Sequence, residues 1–285
     1  MIRPRRPFPA EDVGGHYDEL DPFYRRVWGR GLHHGLWTRG DESPEEAVDN
    51  LVEEVGREAT LKADSRVCDV GSGYGQPARL LAQTFGARVV GFTLSARQAE
   101  EARRTPASDG PQPEFRKQDF LHNDLPDGSF DAVIALESTA HMEDKPAFFH
   151  QAQRLLTPGG RLVVAAWTAS ESASSGQRRL LLEPICRYGR LPGLGTPREY
   201  QEWARRAGLE PLRTRDLTRD VRRTWSIILR RIPLRLLHRP DTWRYLFHSR
   251  SRHRDFLLAI PLIWLAERLG SFRYTLLTAV KNLEA

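Results

Sequence analysis

The ten residues from Val67 to Gln76, VCDVGSGYGQ, constrain this chain more than any other stretch. A short apolar run stops at Gly71, glycines recur at Gly71, Gly73 and Gly75, and a helix-compatible sequence follows. Glycine admits positive φ and lets a ligand approach without meeting a Cβ, while the helix beyond opens with unpaired N–H groups. Strand, glycine turn and helix in that order imply a nucleotide-like ligand at the carboxyl ends of the strands. The spacing is Gly-x-Gly-x-Gly, one residue shorter than the dinucleotide fingerprint. Asp69 stands just before the glycines, where it would repel a pyrophosphate and suits a cationic or hydroxyl-bearing ligand.

From this turn onward, strand and helix patterns alternate. Strands are expected near Arg66–Val70, Arg88–Phe92, Glu114–Lys117, Phe130–Ala135 and Arg161–Trp167, with helices near Gln76–Thr84, Ser95–Arg104 and Lys145–Leu155 between them. Such alternation predicts an α/β fold with a parallel, doubly wound sheet. Upstream, Val13 to Trp28 has helical spacing and feeds a glycine-punctuated loop from Gly29 to Gly40. Ser43-Pro44-Glu45-Glu46 then offers a capping serine, proline at the first helical position and acids in the first turn, so a helix is expected from Pro44 to about Ala59. Downstream, a helical stretch near Gln177–Tyr188 precedes a second helix start at Thr196-Pro197-Arg198-Glu199. Two further strands are expected, Leu209–Leu217 and Phe272–Lys281, and the roughly 50 residues between them are too long for a plain loop. They read as a helical insertion with breaks near Pro233 and Pro240.

Charge separates the same parts. The chain of 285 residues carries a net +6, but Arg213 to Arg254 holds thirteen arginines against three aspartates, so the rest is net −4. That segment suits an anionic substrate, a membrane surface or nucleic acid, and equally a solvated helix face. No apolar run reaches bilayer-spanning length and no signal core follows the basic N-terminus, which leads to an expectation of a cytoplasmic protein. Two cysteines, Cys68 and Cys186, exclude a disulfide scaffold and a cysteine-based zinc site. His33 and His34 have no cysteine or acid at ligand spacing beside them, so no metal is expected.

Asp69 to Gln76, DVGSGYGQ, resembles the first motif of the class I S-adenosylmethionine-dependent methyltransferases, and three later stretches agree. Gly91-Phe92-Thr93-Leu94-Ser95-Ala96-Arg97-Gln98 is similar to the Gly-x-Thr-Leu-Ser-x-x-Gln of the branch holding cyclopropane-fatty-acid synthases and many small-molecule enzymes. Gln118-Asp119-Phe120 resembles the adenine-binding triplet, and Leu156-Thr157-Pro158-Gly159-Gly160 the turn before the fifth strand. The resemblance implies a Rossmann-like seven-stranded sheet with an antiparallel last strand. It also implies an N-terminal helical lid (1–43), a cofactor-binding core (44–217 plus 271–285) and a helical substrate cap (218–270) between strands 6 and 7. The implied cofactor is S-adenosyl-L-methionine, leaving as S-adenosyl-L-homocysteine. By the same resemblance Asp69 takes its amino group, Gly71, Gly73 and Gly75 pass beneath it, Thr93, Leu94 and Gln98 meet the ribose, and Asp119 and Phe120 the adenine. Tyr17 and Trp37 belong to lid segments over the methionine end, with Leu36 where the branch usually has tyrosine.

Methyl transfer needs an aligned nucleophile and a destination for one proton. Glu137-Ser138-Thr139-Ala140-His141-Met142 resembles the Glu-Ser-x-x-His-Met loop of small-molecule enzymes, which makes His141 the first candidate base and Glu137 the second. His34, Trp225, Trp243 and Tyr245 are the candidate substrate contacts, aromatic and polar groups suited to a lipophilic, possibly anionic small molecule of natural-product, isoprenoid or quinone type. Lipid modification with the arginine-rich cap on a membrane is a rival reading, although neither cysteine fits the bicarbonate site of cyclopropane synthases. A nucleic-acid partner is disfavoured, since no RNA-binding module and no Asn-Pro-Pro-Tyr-like motif is present.

Overall fold

A computed structural model describes residues 1–4, 33–238 and 256–283. The first helix, α1 (Pro44–Glu58), starts as its capping sequence requires. Ser43 Oγ accepts from Glu46 N, and Glu46 Oε2 accepts from Ser43 N at 2.7 Å, closing a capping box that satisfies two otherwise orphaned donors. Strand β1 (Arg66–Val70) follows, then α2 (Gln76–Phe85), β2 (Arg88–Thr93), α3 (Ala96–Arg104), β3 (Glu114–Lys117), β4 (Phe130–Leu136) and α4 (Lys145–Leu155). The chain continues through β5 (Leu156–Ala169), α5 (Glu183–Tyr188), α6 (Pro197–Arg206), β6 (Leu209–Asp216), α7 (Arg223–His238), α8 (Phe256–Arg268) and β7 (Phe272–Lys281).

The seven strands form one sheet in the order β3-β2-β1-β4-β5-β7-β6. Pairing is parallel from β3 to β5, and β7 lies antiparallel between β5 and β6. Strand order reverses between β1 and β4, the crevice where open α/β sheets take their ligands. Val67, Cys68, Asp69 and Val70 of β1 are all buried, because helices cover both faces of a parallel sheet.

Two expectations need correction. Strand β5 begins at Leu156 rather than Arg161, since Leu156 already pairs with Phe130 and the Pro-Gly-Gly stretch is taken up as an irregularity in the ladder. Helix α7 runs unbroken through Pro233. A proline keeps a helical φ, so a helix can continue through it despite the lost hydrogen bond and the crowding of the carbonyl four residues back, and α8 likewise contains Pro261. The expected helix over Val13–Trp28 and the break at Pro240 lie outside the described residues.

A row of aromatic rings crosses one face of the sheet. Phe92, Phe120, Phe148, Phe149, Tyr200 and Trp203 follow one another with centroids 5.2–6.2 Å apart, joining β2, α4 and α6. Edge-to-face pairs of this kind add to plain burial. Phe149, fully buried among Phe148, Tyr200 and Trp203, is its centre. Phe149→Ala is therefore expected to destabilise the fold by about 3–5 kcal/mol in urea unfolding.

Candidate active site

The three glycines of the turn after β1 all have positive φ, +84° at Gly71, +53° at Gly73 and +78° at Gly75. They are needed for different reasons. A Cβ on Gly71 would lie 2.4 Å from Ser138 Cβ and one on Gly75 2.4 Å from the Phe115 ring, so neighbouring loops press against the backbone at these two points. A Cβ on Gly73 would meet nothing within 4 Å, which leaves its backbone facing open space. Helix α2 starts at Gly75 with no side-chain cap, so its first N–H groups have no side-chain acceptor there. Asp69, on the strand below, is buried, and its Oδ2 has no hydrogen-bond partner among the described residues. Burial pushes its carboxyl up to about 7. An ionised carboxylate in such a place calls for a cation, and the amino group of S-adenosylmethionine has that chemistry.

The next two strand ends lie alongside. Thr93 ends β2, donates from Oγ1 to Gln98 Oε1 at 2.8 Å and accepts from Ser95 N at 3.2 Å. Ser95 caps α3 by accepting from Gln98 N at 3.0 Å, so the pair Thr93–Gln98 is locked by the helix start. Leu94 between them is 47% exposed at the rim. Gln118 N donates to Thr93 O at 3.1 Å, which brings the loop after β3 beside this pair. Asp119 is half-exposed and accepts from Leu121 N at 3.0 Å, with the His122 ring 2.8 Å away. Phe120 does not stand out beside that loop; it is buried between Phe92 and Phe148 in the aromatic row.

Over the ends of β4, β5 and β7 a second group assembles. Glu137, the residue after β4, has φ +59°, a strained setting for a non-glycine residue. Its carboxylate accepts from His34 N at 2.8 Å and from Tyr274 Oη at 2.8 Å, and His34 Nδ1 lies 3.2 and 3.1 Å from its two oxygens. Burial alone would raise this acid, but charge and hydrogen bonding from His34 outweigh it and hold it at about 2. Its stabilising contribution is therefore complete above pH 4.5 and is lost as pH falls toward 2. His34 is itself enclosed by Trp167, Trp225 and Tyr274, with ring centroids at 5.4, 5.1 and 5.1 Å. Its Nε2 has no hydrogen-bond partner among the described residues.

His141 closes a short 3-10 turn, Thr139–His141, beyond Glu137. Burial, helped by the Lys145 ammonium, lowers its imidazole to about 4 against the opposing pull of an Arg190 backbone hydrogen bond and of Glu137, so it is neutral at physiological pH. Trp37 stands under Arg223, whose guanidinium carbon is 4.4 Å from the ring centroid, and the Trp37 backbone N–H donates to Asp220 O at 2.9 Å. Gly35 N donates to Thr224 Oγ1 at 3.0 Å, so residues 33–37 strap the start of α7 to the sheet edge. Tyr17, Trp243 and Tyr245 lie outside the described residues. Sequence reasoning missed Tyr274 and Trp167. Both sit in strands that read as ordinary core, and only the order β5-β7 brings them to His34. No group of three potential metal ligands occurs among the described residues.

Residues 68–164 match the model of a family described as "Methyltransferase domain". The chain is 34% identical over 228 residues to the 27-O-demethylrifamycin SV methyltransferase of Amycolatopsis mediterranei (strain S699), covering 78% of this chain and 81% of that protein. It is 29% identical over 290 residues to a probable chloroplastic tocopherol O-methyltransferase of Oryza sativa subsp. japonica, over 95% of this chain and 78% of that one. In three dimensions it is similar to a cyclopropane synthase from Mycobacterium tuberculosis, with a TM-score of 0.82 at 19% identity over 97% of this chain and 100% of that one. With a glycine turn, a buried acid and a sheet of this order behind it, the chain belongs to the class I S-adenosylmethionine-dependent methyltransferases that act on small molecules.

Proposed function

We propose that the protein methylates a small lipophilic acceptor, at oxygen, nitrogen or carbon, between the carboxyl edge of the sheet and its helical cap. The observation that carries this reading is the turn after β1, where the buried Asp69 carboxyl has an oxygen without a partner among the described residues and the Gly73 backbone faces open space, as a cationic methyl donor requires. Trp167, Trp225 and Tyr274, packed around His34 over the ends of β5 and β7, give that edge of the sheet an apolar character that suits a lipophilic acceptor. The names of its relatives, a rifamycin and a tocopherol methyltransferase, point to the same class of hydroxyl-bearing, lipophilic natural products. In this reading 44–217 with 271–285 hold the cofactor, 218–270 cap the acceptor and 1–43 form the lid. The strap from Gly35 to Thr224 and from Trp37 to Asp220, which couples lid to cap, supports that division.

S-adenosylmethionine supplies the methyl group as an activated sulfonium. Asp69 takes its amino group, Thr93, Leu94 and Gln98 its ribose, and Asp119 its adenine. Phe120 backs that loop from below as part of the core. Of the two candidate bases we assign the proton to His141, which burial keeps neutral at physiological pH. Glu137, already accepting three hydrogen bonds, is better suited to orienting His34 and Tyr274 than to taking a proton. Trp225 is the proposed acceptor contact within the described residues, and Trp243 and Tyr245, proposed with it, lie outside them.

Incubation of the purified protein with methyl-labelled S-adenosylmethionine and an extract of its own cells should yield a labelled small molecule, with 27-O-demethylrifamycin SV as a defined probe; absence of label in any small molecule would refute the assignment. Since the Asp69 carboxyl ionises near 7, S-adenosylhomocysteine affinity is expected to rise between pH 6 and 8 in calorimetry. In Asp69→Asn both the affinity and this pH dependence should be lost. His141→Gln is expected to slow turnover by about 10²-fold with cofactor affinity kept. In the unmodified enzyme the part of the rate that depends on His141 should fall only as pH drops toward 4.

A further inference from the structure

Helix α8 is apolar on both sides. Its inner side, Ala259, Ile260, Ile263 and Ala266, is buried against Leu182, Ile185, Trp225 and Phe272. On the outer side Leu258 is 53% exposed, Leu265 39% and Leu269, just past the helix end, 54%. Pro261 is exposed between them and Leu262 half-buried. At 3.6 residues per turn these five residues fall on one stripe. Leu180, 69% exposed, adds to it from the π-helical turn Arg178–Leu182, whose Leu181 and Leu182 pack in the same cluster as α8. Single exposed leucines are ordinary, whereas a contiguous apolar stripe marks a contact surface.

The charges around the stripe are mainly positive. On the turn 178–182 and helices α5 and α8 stand Arg178, Arg179, Arg187 and Arg268 against Glu183 and Glu267, and Glu267 is buried. Arg268 lies over the Trp264 ring at 4.2 Å and Arg187 over Tyr188 at 5.7 Å. Arginine and aromatic side chains beside an apolar helix face form the combination that sits between acyl chains and headgroups. A second copy of the chain on this face would set arginines against arginines across a two-fold contact. Anionic headgroups remove that conflict and hydrocarbon takes the leucines.

We propose that this face docks on an anionic phospholipid bilayer, with Leu180, Leu258, Leu262, Leu265 and Leu269 in the acyl region and the arginines at the phosphates. It rests on the acceptor reading above only for its purpose, the exchange of a lipophilic molecule with the bilayer. Among the described residues no helix is long and apolar enough to cross a membrane, so the contact is peripheral.

Sedimentation with phosphatidylcholine vesicles holding about 30% phosphatidylglycerol tests docking without any acceptor. The protein is expected to pellet with these vesicles, to stay in solution with phosphatidylcholine alone, and to be released as salt is raised. Leu258→Asp combined with Leu265→Asp should weaken binding by about tenfold or more, while unchanged S-adenosylhomocysteine affinity shows that the variant is folded. Arg179→Gln with Arg268→Gln should flatten the salt dependence. Failure to pellet with anionic vesicles, or pelleting indifferent to the leucine changes, overturns the proposal. So does a dimer in light scattering that the leucine changes dissolve, which would give the face to a second copy. If vesicles bind but no small molecule is labelled, the acceptor reading fails and the docking face stands.

Discussion

The buried Glu137 carboxylate holds together segments that are far apart in the chain. Its three donors come from His34, before the first helix of the core, and from Tyr274, on the last strand. These donors offset the cost of taking that carboxylate out of water and tie the N-terminal strap to β4 and β7. The same strap carries Gly35 to Thr224 and Trp37 to Asp220, at the start of α7 and just before it. One ionised group thus ties the segment before α1 to β4 and β7, and its strained backbone, φ +59° at Glu137, is kept by the donors around it.

Asp69 is the counterpart at the glycine turn after β1. Both acids are buried, yet their ionisation differs because only one has donors at hand: Glu137 is held near 2 and Asp69 rises to about 7. An acid with its hydrogen bonds complete serves the architecture, and one with an oxygen unmatched is suited to a cationic ligand. This contrast separates the two carboxylates more sharply than their positions in motifs do.

Much of the fold was legible because it depends on local patterns. The capping box at Ser43, the strand-turn-helix at Asp69 to Gln76 and the apolar strands of the core are recorded in neighbouring residues. Pro233 misled because its lost hydrogen bond and its crowding of the preceding turn are local costs, and α7 continues through them. Phe120 was legible as an aromatic residue after Asp119, but its burial between Phe92 and Phe148 was not, since those partners belong to other elements. His34 read as a substrate contact and Glu137 as a base. Their mutual hydrogen bonds join residues 103 positions apart, and no spacing rule reaches that far.

The sequence by itself determined the cofactor class and the order of the elements, because Gly71, Gly73 and Gly75 behind Asp69 permit a run of positive φ that residues with a Cβ resist. It also located the excess positive charge in the segment between the last two strands. Only the tertiary structure decided which acid is satisfied and which is not, and which side of α8 is left to solvent. Hydrogen-bond partners and burial are properties of surfaces brought together across the sheet, whereas a turn is a property of consecutive residues.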